Sequence, residues 1–190
     1  MDALLGKIRN CKECEPHLPL GANPVLTASP KSKLVIIGQA PGRIVHQSGI
    51  PWDDKSGDNL RAWLGIDKEV FYNPEIVALI PMGFCYPGTG KSGDLPPRPE
   101  CAPLWHKALL QKMNPELILL IGNYAQKYYL GKRAEKTLTA TVKNFRNYLP
   151  KYFPLPHPSP RNNIWQAKNP WFREEVLSAL EKKVNAVLEI

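Results

Sequence analysis

The apolar residues of this chain form short continuous runs rather than long alternating ones. Leu34–Ile37, Ile76–Ile80 and Leu117–Ile121 consist entirely of aliphatic residues, a pattern typical of strands buried on both faces of a sheet. A fourth short strand is predicted near Tyr152–Leu155. Because segments with helical character separate these runs, the pattern predicts an α/β protein. We expect three layers, α/β/α, with a central, mostly parallel, four-stranded sheet.

Helix-capping and helix-ending residues lie between the predicted strands. Ser56 is expected to cap a helix that ends at Gly65, and Asn123 to cap one that ends at Gly131. The remaining helices are predicted at residues 2–10, at 104–113, near Thr137, and from about 171 to 188 after Pro170. Helices of this number and length are enough to cover both faces of the sheet.

Three irregular segments are predicted between these elements. Residues 15–33 carry four prolines and are expected to form an extended linker over the surface. Residues 82–103 are rich in Gly and Pro, and a loop of that length in a compact domain is usually functional. The third segment, which begins with Gly38–Gly42, follows the first strand directly. Because ligands of open α/β sheets bind outside the carboxyl ends of the strands, we expect chemistry at this loop.

Length and charge narrow the classes of function. With 190 residues, 43% of them hydrophobic, the chain is expected to form a single domain over residues 1–190, and we expect a monomer. A net charge of +8 and a pI near 9.3 favour a polyanionic partner such as nucleic acid. No apolar run approaches about 20 residues, and the first residues do not resemble a signal peptide. We therefore expect a soluble, cytoplasmic protein without a membrane partner.

The four cysteines fall into two pairs. Cys11 and Cys14 form a C-x2-C motif, and Cys85 and Cys101 flank the second proline-rich segment. Because a cytosolic chain seldom keeps disulfides, a site with four thiolate ligands is a serious interpretation. Zinc or an iron-sulfur cluster would accept these ligands. The alternative is that the four are unrelated buried cysteines that act as small apolar residues.

Several motifs, taken in order, resemble the uracil-DNA glycosylase superfamily. They are Gly38-Gln-Ala-Pro-Gly42, Pro51-Trp52, Ser56-Gly57 before a helix, and His157-Pro-Ser-Pro160. The cysteine pattern is most similar to that of the iron-sulfur, type-4 members. The resemblance covers nearly the whole chain. It implies a fold of that family, a 4Fe-4S cluster on the four cysteines with zinc as the alternative, and DNA with a damaged or deaminated base as the partner.

The resemblance also implies a role for each motif. The backbone of Gly38, Ala40, Pro41 and Gly42 would approach the deoxyribose and the flipped base. Trp52 would stack on that base. His157 would donate a hydrogen bond to a carbonyl oxygen of the departing base. Pro158, Ser159 and Pro160 would enter the minor groove of the DNA.

Two departures from the family pattern concern catalysis. Gln39 stands where iron-sulfur relatives usually have an acidic residue, and an amide does not carry negative charge. Residues 76–85 contain no asparagine, although relatives commonly read the uracil edge with one. Gln39 and the loop backbone are expected to orient water. His46 is a further catalytic candidate, because imidazole serves as acid, base or nucleophile near neutral pH; its alternative is a solvated loop histidine.

Other residues have competing interpretations. Asp53 and Asp54 are either a carboxylate pair or, as we favour, ordinary turn and cap residues. Basic residues near the motifs contact phosphates or only confer solubility; they are Lys91, Arg98, Arg161 and Lys168. Ser159 is not expected to be a nucleophile, because sequence neighbours rarely point at one another. Structural roles are expected for His17, His106, Trp105, Trp165 and Trp171.

Together these features predict a DNA repair glycosylase. It would flip a damaged or deaminated base, uracil being the first choice, and hydrolyse its N-glycosidic bond. The main alternative is a non-catalytic or altered-specificity nucleic-acid-binding protein with the same fold, which the Gln39 substitution favours. A hydrolase acting on free nucleosides or nucleotides is a further alternative.

Overall fold

The computed structural model describes residues 1–91 and 93–190. Ser92, in the predicted irregular segment, lies outside the described residues. The α-helices are α1 (Asp2–Arg9), α2 (Arg43–Ser48), α3 (Lys55–Leu64), α4 (Lys68–Tyr72), α5 (Cys101–Met113), α6 (Gly122–Leu130), α7 (Leu138–Lys143), α8 (Asn163–Lys168) and α9 (Ser178–Leu188). The strands are β1 (Leu34–Ile37), β2 (Val77–Leu79), β3 (Thr89–Gly90), β4 (Gly93–Asp94), β5 (Leu117–Ile121) and β6 (Tyr152–Leu155). A π-helical turn, Phe172–Leu177, leads into α9.

The aliphatic strands form one four-stranded sheet in the order β2-β1-β5-β6. Every pairing in this sheet is parallel, and Leu34 of β1 lies opposite Val77 of β2 and Leu117 of β5. The predicted strands are therefore confirmed, and the sheet is wholly rather than mostly parallel. Because all four strands point the same way, their carboxyl ends meet at a single edge.

Helices cover both faces of this sheet, which confirms the three-layer prediction. Leu34 and Ile36 face a layer built from α3, α9 and the π-helical turn. Val35 and Ile37 face the opposite layer, built from α1, α5 and α6. All four of these side chains are fully buried, as expected for a strand with helices on each side.

Two predicted helix caps are wrong. The Asp54 side chain, not Ser56, caps α3: it accepts a hydrogen bond from the Gly57 backbone N–H at 2.8 Å. Asp54 has the extended backbone that a cap requires, whereas Ser56 is already inside the first turn. Among the described residues, no side chain caps α6, which begins one residue before Asn123, at Gly122. The predicted helix ends at Gly65 and Gly131 are confirmed.

Parts of the predicted loops are ordered elements. The segment after Gly42 is not a loop, because Arg43–Ser48 forms α2 and Gly49 ends that helix with a positive φ of 72°. Helix α5 begins at Cys101, three residues earlier than predicted. Within the second proline-rich segment, β3 and β4 form a small antiparallel hairpin. The short helices α4 and α8 were also absent from the sequence-based prediction.

The first proline-rich segment protects the edge of the sheet. Thr27 forms an isolated antiparallel bridge with Leu79 of β2, and the Val25 N–H donates to the Phe84 carbonyl at 2.8 Å. The extended conformation predicted for this segment is therefore present here. It satisfies backbone groups of β2 that an exposed edge strand would leave unpaired.

Candidate functional site

A cleft of about 460 Å³ opens at the carboxyl edge of the central sheet. Its lining combines the loop after β1, the segment between α2 and α3, and the segment after β6. The predicted site residues among the lining residues are Gly38, Gln39, Ala40, Pro41, Gly42, Trp52 and His157.

Trp52 and His157 meet inside this cleft. Their ring centroids are 5.8 Å apart, and the ring planes are inclined by 31°. Trp52 lies just before α3 and His157 just after β6, so parallel strands bring two distant parts of the chain to the same edge. The cleft therefore presents an indole and an imidazole side by side.

Trp52 has an unusual backbone conformation. Its φ is +58°, in the left-handed region that non-glycine residues rarely adopt. Its carbonyl oxygen accepts hydrogen bonds from the Tyr72 hydroxyl at 3.2 Å and from Arg61 Nη1 at 3.4 Å. Arg61 is only 6% exposed, and its other guanidinium nitrogen pairs with Asp58 at 2.6 Å. Strained backbone at a cleft is typical of a functional position that its surroundings hold in place.

Two motif glycines are explained by the position of Trp52. A Cβ on Gly38 would lie 2.8 Å from Cζ2 of the indole ring, and a Cβ on Gly57 would lie 1.8 Å from the Trp52 carbonyl oxygen. Neither distance is compatible with a side chain. The glycines in both motifs therefore allow the tryptophan to lie against the end of β1 and the start of α3.

Two asparagines hold the His157–Pro160 segment. Asn59 Nδ2, from α3, donates to the Pro158 carbonyl at 2.9 Å, and Asn162 Nδ2 donates to the His157 carbonyl at 2.6 Å. Ser159 Oγ accepts from the Arg161 backbone N–H at 3.3 Å, which makes it a cap rather than a nucleophile. The backbone of His157 and Pro158 is thus held before any ligand arrives.

The electrostatic environment of His157 includes two carboxylates. Burial lowers the pKa of His157, while the nearby charges of Asp54 and Asp94 act in the opposite direction. Asp54 lines the cleft itself. Asp94, on β4, lies beside Gly42: its Oδ2 is 3.5 Å from the position of a Cβ there. The cleft therefore holds a neutral imidazole close to negative charge.

Asp54 both caps a helix and lines the cleft, although the sequence interpretation treated a cap role and a site role as alternatives. One carboxylate oxygen caps α3, as the favoured interpretation required. The residue also faces the cleft, and among the described residues it is the one carboxylate in the lining. Asp53 is not in that lining. The signal for Asp54 in the sequence was its position two residues after Trp52.

Gln39 and His46 lie in different environments. Gln39 lines the cleft, and its backbone carbonyl accepts from the Gly83 N–H at 3.0 Å. The structure does not bring His46 into the cleft, although its neighbour Val45 lines it. The His46 ring lies 6.1 Å from that of Tyr86, and its Nδ1 is buried without a hydrogen-bond partner among the described residues.

A buried histidine, His106, contacts the backbone of a residue that lines the cleft. His106 is 2% exposed, and burial lowers its pKa to about 4, so the ring is neutral. Its Nδ1 lies 2.6 Å from the Tyr129 hydroxyl and its Nε2 lies 3.1 Å from the Pro81 carbonyl. Because Pro81 only accepts, Nε2 donates to it and Nδ1 accepts from Tyr129. Pro81 lines the cleft, so the structural role expected for His106 includes positioning its wall.

Basic and aromatic residues outside the cleft have identifiable contacts. Arg98 pairs with Glu100 at 2.6 Å. Arg161 Nη1 lies 3.3 Å from the position of a Cβ on Gly93, beside the β3–β4 hairpin. Trp165 and Trp171 pack edge-on with each other and with Phe172, in agreement with the packing role predicted for them.

The four cysteines lie around one small cavity of about 310 Å³. All four are free thiols, and Cys14, Cys85 and Cys101 are buried. Burial raises the pKa of Cys85 to about 11 and that of Cys101 to about 12, with smaller contributions from the neighbouring cysteines. In the part of the chain that the structure describes, no group of three or more His, Cys, Asp or Glu is already arranged to hold a metal ion. The donors suit a soft metal, because thiolates crowded in an apolar cavity are stabilised by a cation.

The structure also bears on membrane association. Among residues 1–91 and 93–190, no helix combines the length and the apolar character needed to cross a bilayer.

Comparisons with known proteins agree with this geometry. The sequence model of the family described as the Uracil DNA glycosylase superfamily matches residues 26–181. A relative from Sulfurisphaera tokodaii, described as a type-4 uracil-DNA glycosylase, is 23% identical over 141 residues. That alignment covers 68% of this chain and 61% of the relative. The matched range contains β1 with its loop, Trp52 and His157, and it extends over most of the chain; the protein therefore belongs to the uracil DNA glycosylase superfamily.

Proposed function

We propose that this protein is a DNA glycosylase that flips a damaged or deaminated base, uracil first, and hydrolyses its N-glycosidic bond. Membership of the superfamily implies a glycosylase, which is a hydrolase. The observation that carries the finer proposal is the pairing of Trp52 and His157 in one cleft at the sheet edge. The net charge of +8 suits a DNA partner.

The indole of Trp52 supplies the platform for the extruded base. Flipping costs a few kcal/mol, and stacking on an aromatic ring returns roughly 1–3 kcal/mol. The hydrogen bonds to the Trp52 carbonyl hold the backbone that carries this ring before the base arrives. The backbone of Gly38–Gly42 also lines the cleft, where glycines allow close approach to the sugar.

His157 acts on the departing base. A neutral imidazole donates one hydrogen bond to a base carbonyl oxygen and stabilises the negative charge that develops there. Burial lowers the pKa of His157, which favours this neutral form. The hydrogen bonds from Asn59 and Asn162 orient the segment that carries it.

Asp54 supplies the negative charge that Gln39 lacks. The bond between C1′ and the base nitrogen breaks with its electron pair going to the base, and the sugar becomes cationic. A water oxygen then bonds to C1′, and its proton passes to the Asp54 carboxylate. One Asp54 oxygen is held by the Gly57 N–H, so the other is available to the water. Gln39 orients the same water through its amide.

The segment after β6 and the cysteine cavity have supporting roles. Pro158, Ser159 and Pro160 enter the minor groove, and Arg161 contacts phosphate. Cys11, Cys14, Cys85 and Cys101 would hold a 4Fe-4S cluster, with zinc as the alternative. When bound, that group ties the N-terminal segment to the start of α5. No step of the hydrolysis passes through it.

Incubation with defined oligonucleotides tests the proposal. Single- and double-stranded substrates would each carry one uracil, hypoxanthine or mismatch, and alkali would cleave any abasic site formed. We expect cleavage at uracil, with thymine at the same position as the matched control. Binding without abasic sites for any of these bases would contradict the glycosylase proposal.

A non-catalytic DNA-binding protein is the second candidate function, favoured by Gln39 in place of an acidic residue. The same assay separates the two, because this candidate binds DNA and leaves every glycosidic bond intact. Turnover of free nucleosides without affinity for DNA would contradict both.

A further inference from the structure

A second depression, which we call the tyrosine groove, lies on the same sheet edge as the cleft. It has a volume of about 910 Å³. Its lining residues are Met82, Pro96, Pro97, Arg98, Pro99, Ala102, Tyr124, Lys127 and Tyr128. Pro81 lines the cleft and Met82 lines the groove, so one segment after β2 separates the two. The Met82 N–H donates to the Gly38 carbonyl at 2.9 Å, which joins this segment to the cleft loop.

One wall of the groove presents two aromatic rings. Tyr124 and Tyr128 are one turn apart on α6, with 39% and 47% of their surface exposed, so they lie on the same helix face. Tyr128 packs edge-on against Tyr129 and His106, with ring centroids 5.2 Å and 6.2 Å away. Its ring is therefore held in position while part of its surface stays open.

The other wall is rigid and built from prolines. Pro97 packs on Gly83 so closely that a Cβ on that glycine would lie 3.0 Å from the Pro97 Cβ. Proline has a fixed φ and loses little conformational entropy when a ligand binds. The two walls thus form a preorganised slot rather than a flexible surface.

The charge of the groove is positive. Lys127 lies on α6 between the two tyrosines and is exposed, and no ion pair joins it to any other described residue. Arg98 lies on the opposite wall, where Glu100 partly neutralises it. Among the described residues, those that line the groove include no carboxylate. An anionic ligand with flat apolar groups matches this combination.

We propose that the tyrosine groove binds a single-stranded segment of DNA that flanks the nucleotide in the cleft. Its bases stack on Tyr124 and Tyr128, and its phosphates pair with Lys127. Aromatic platforms combined with basic side chains are the usual means of holding single strands without regard to sequence. This proposal rests on the proposed function, because it places the strand beside the nucleotide in the cleft. It predicts that the glycosylase acts on a single-stranded or locally unpaired substrate. An aromatic groove also suits a proline-rich peptide, but the cations and the net charge of the chain favour DNA.

The test uses DNA without uracil, so that binding in the groove is measured apart from excision. Fluorescence anisotropy would follow a labelled 12-residue oligothymidylate binding to the intact protein. We expect Tyr124→Ala and Tyr128→Ala each to weaken binding about tenfold, and Tyr124→Phe to retain it because the ring remains. Lys127→Ala should lower the slope of log affinity against log salt by about 0.7.

Lys112→Ala is the matched control. Ala102, near the start of α5, lines the groove, whereas this exposed lysine lies near the end of the same helix, close to the start of β5. It should leave the salt slope unchanged. Binding of oligothymidylate within twofold of wild type in both tyrosine-to-alanine variants, with circular dichroism showing a folded protein, would overturn the proposal. A dimer that Tyr124→Ala dissociates would also overturn it. Tight wild-type binding without uracil excision would leave the groove proposal standing and reject the proposed function.

Discussion

Cζ2 of Trp52 lies 2.8 Å from the point where a Cβ of Gly38 would stand. Gly38→Ala must therefore push the indole away from the end of β1, although the Trp52 backbone is held by Tyr72 and Arg61. We expect kcat/KM for uracil-containing DNA to fall at least tenfold, because a small misplacement of a binding group is costly. Gly6→Ala is the control: apart from its chain neighbours and its own helix backbone, no atom of the described residues lies within 4 Å of the added Cβ. That variant should keep full activity and gain up to about 1 kcal/mol in stability.

Substitutions of Trp52 and His157 should affect different quantities, the first the affinity for DNA and the second the rate of excision. Trp52→Ala removes the stacking platform and should weaken binding of uracil-containing DNA by roughly 1–3 kcal/mol. His157→Ala removes a donor to the developing anion and should lower the single-turnover rate about 10²- to 10³-fold with little change in affinity. Single-turnover rates and binding curves measured side by side check both. Wild-type activity in both variants would show that the base binds elsewhere.

Asp54→Asn should separate the contribution of the negative charge of this residue from its contribution as the cap of α3. Asparagine caps a helix as well as aspartate does, so the melting temperature should remain close to that of wild type. The single-turnover rate should fall about 10²- to 10⁴-fold, because the proton acceptor is lost. Asp53→Asn makes the same charge change one residue away and should keep its rate. Recovery of activity in the double variant Asp54→Asn, Gln39→Glu would show that a carboxylate at either position suffices, whereas an unchanged rate in Asp54→Asn would contradict the role of Asp54.

His106 should make the fold less stable in acid. Its pKa is about 4 in the fold and about 6.5 when unfolded, so between these values the unfolded chain binds a proton that the native protein does not. The free energy of unfolding should therefore fall as the pH drops from 6.5 to 4, by about 3 kcal/mol from this residue. His106→Gln, whose amide reproduces the donor and the acceptor, should lose that part of the slope. Urea unfolding at several pH values checks this, and parallel pH profiles for the two proteins would contradict it.

The cysteine cavity should contain a metal when the protein is prepared without oxygen. We expect about four iron atoms and four sulfides per chain, with a broad absorption band in the blue region. Cys85→Ala and Cys101→Ala should lose the iron, whereas His17→Ala, on the exposed turn after Cys14, should retain it. One zinc per chain in a colourless protein would support the alternative metal. A protein free of both metals would contradict the proposed site.

Much of the fold follows from the sequence because the strands are buried on both faces. Aliphatic runs such as Leu117–Ile121 leave little ambiguity when every residue is covered. Helix α2 was missed because its six residues contain one buried side chain, Val45, which is too few for a helical period to be visible. The start of α6 was misplaced because no side chain in the described part of the chain caps it; Gly122 begins the helix with a φ of +81°.

The candidate site was only partly visible in the sequence. The meeting of Trp52 and His157 follows from parallel strands whose ends share an edge. That Asp54 both caps α3 and lines the cleft was not visible in the sequence, because turns and clefts use the same residue types. The contact between His106 and the Pro81 carbonyl joins distant segments, and no local pattern reveals such a bond.

The left-handed backbone of Trp52 restricts how this site can diversify. A β-branched residue at this position would add conformational strain, since its branched Cβ fits a positive φ poorly. Phenylalanine and tyrosine are the conservative replacements, because each keeps an aromatic ring and an unbranched Cβ. Adaptation to a larger or smaller base would then come from other lining residues, and Gln39, Ala40 and Leu79 border the same space. Engineering of base selectivity would begin with those three positions and leave the tryptophan untouched.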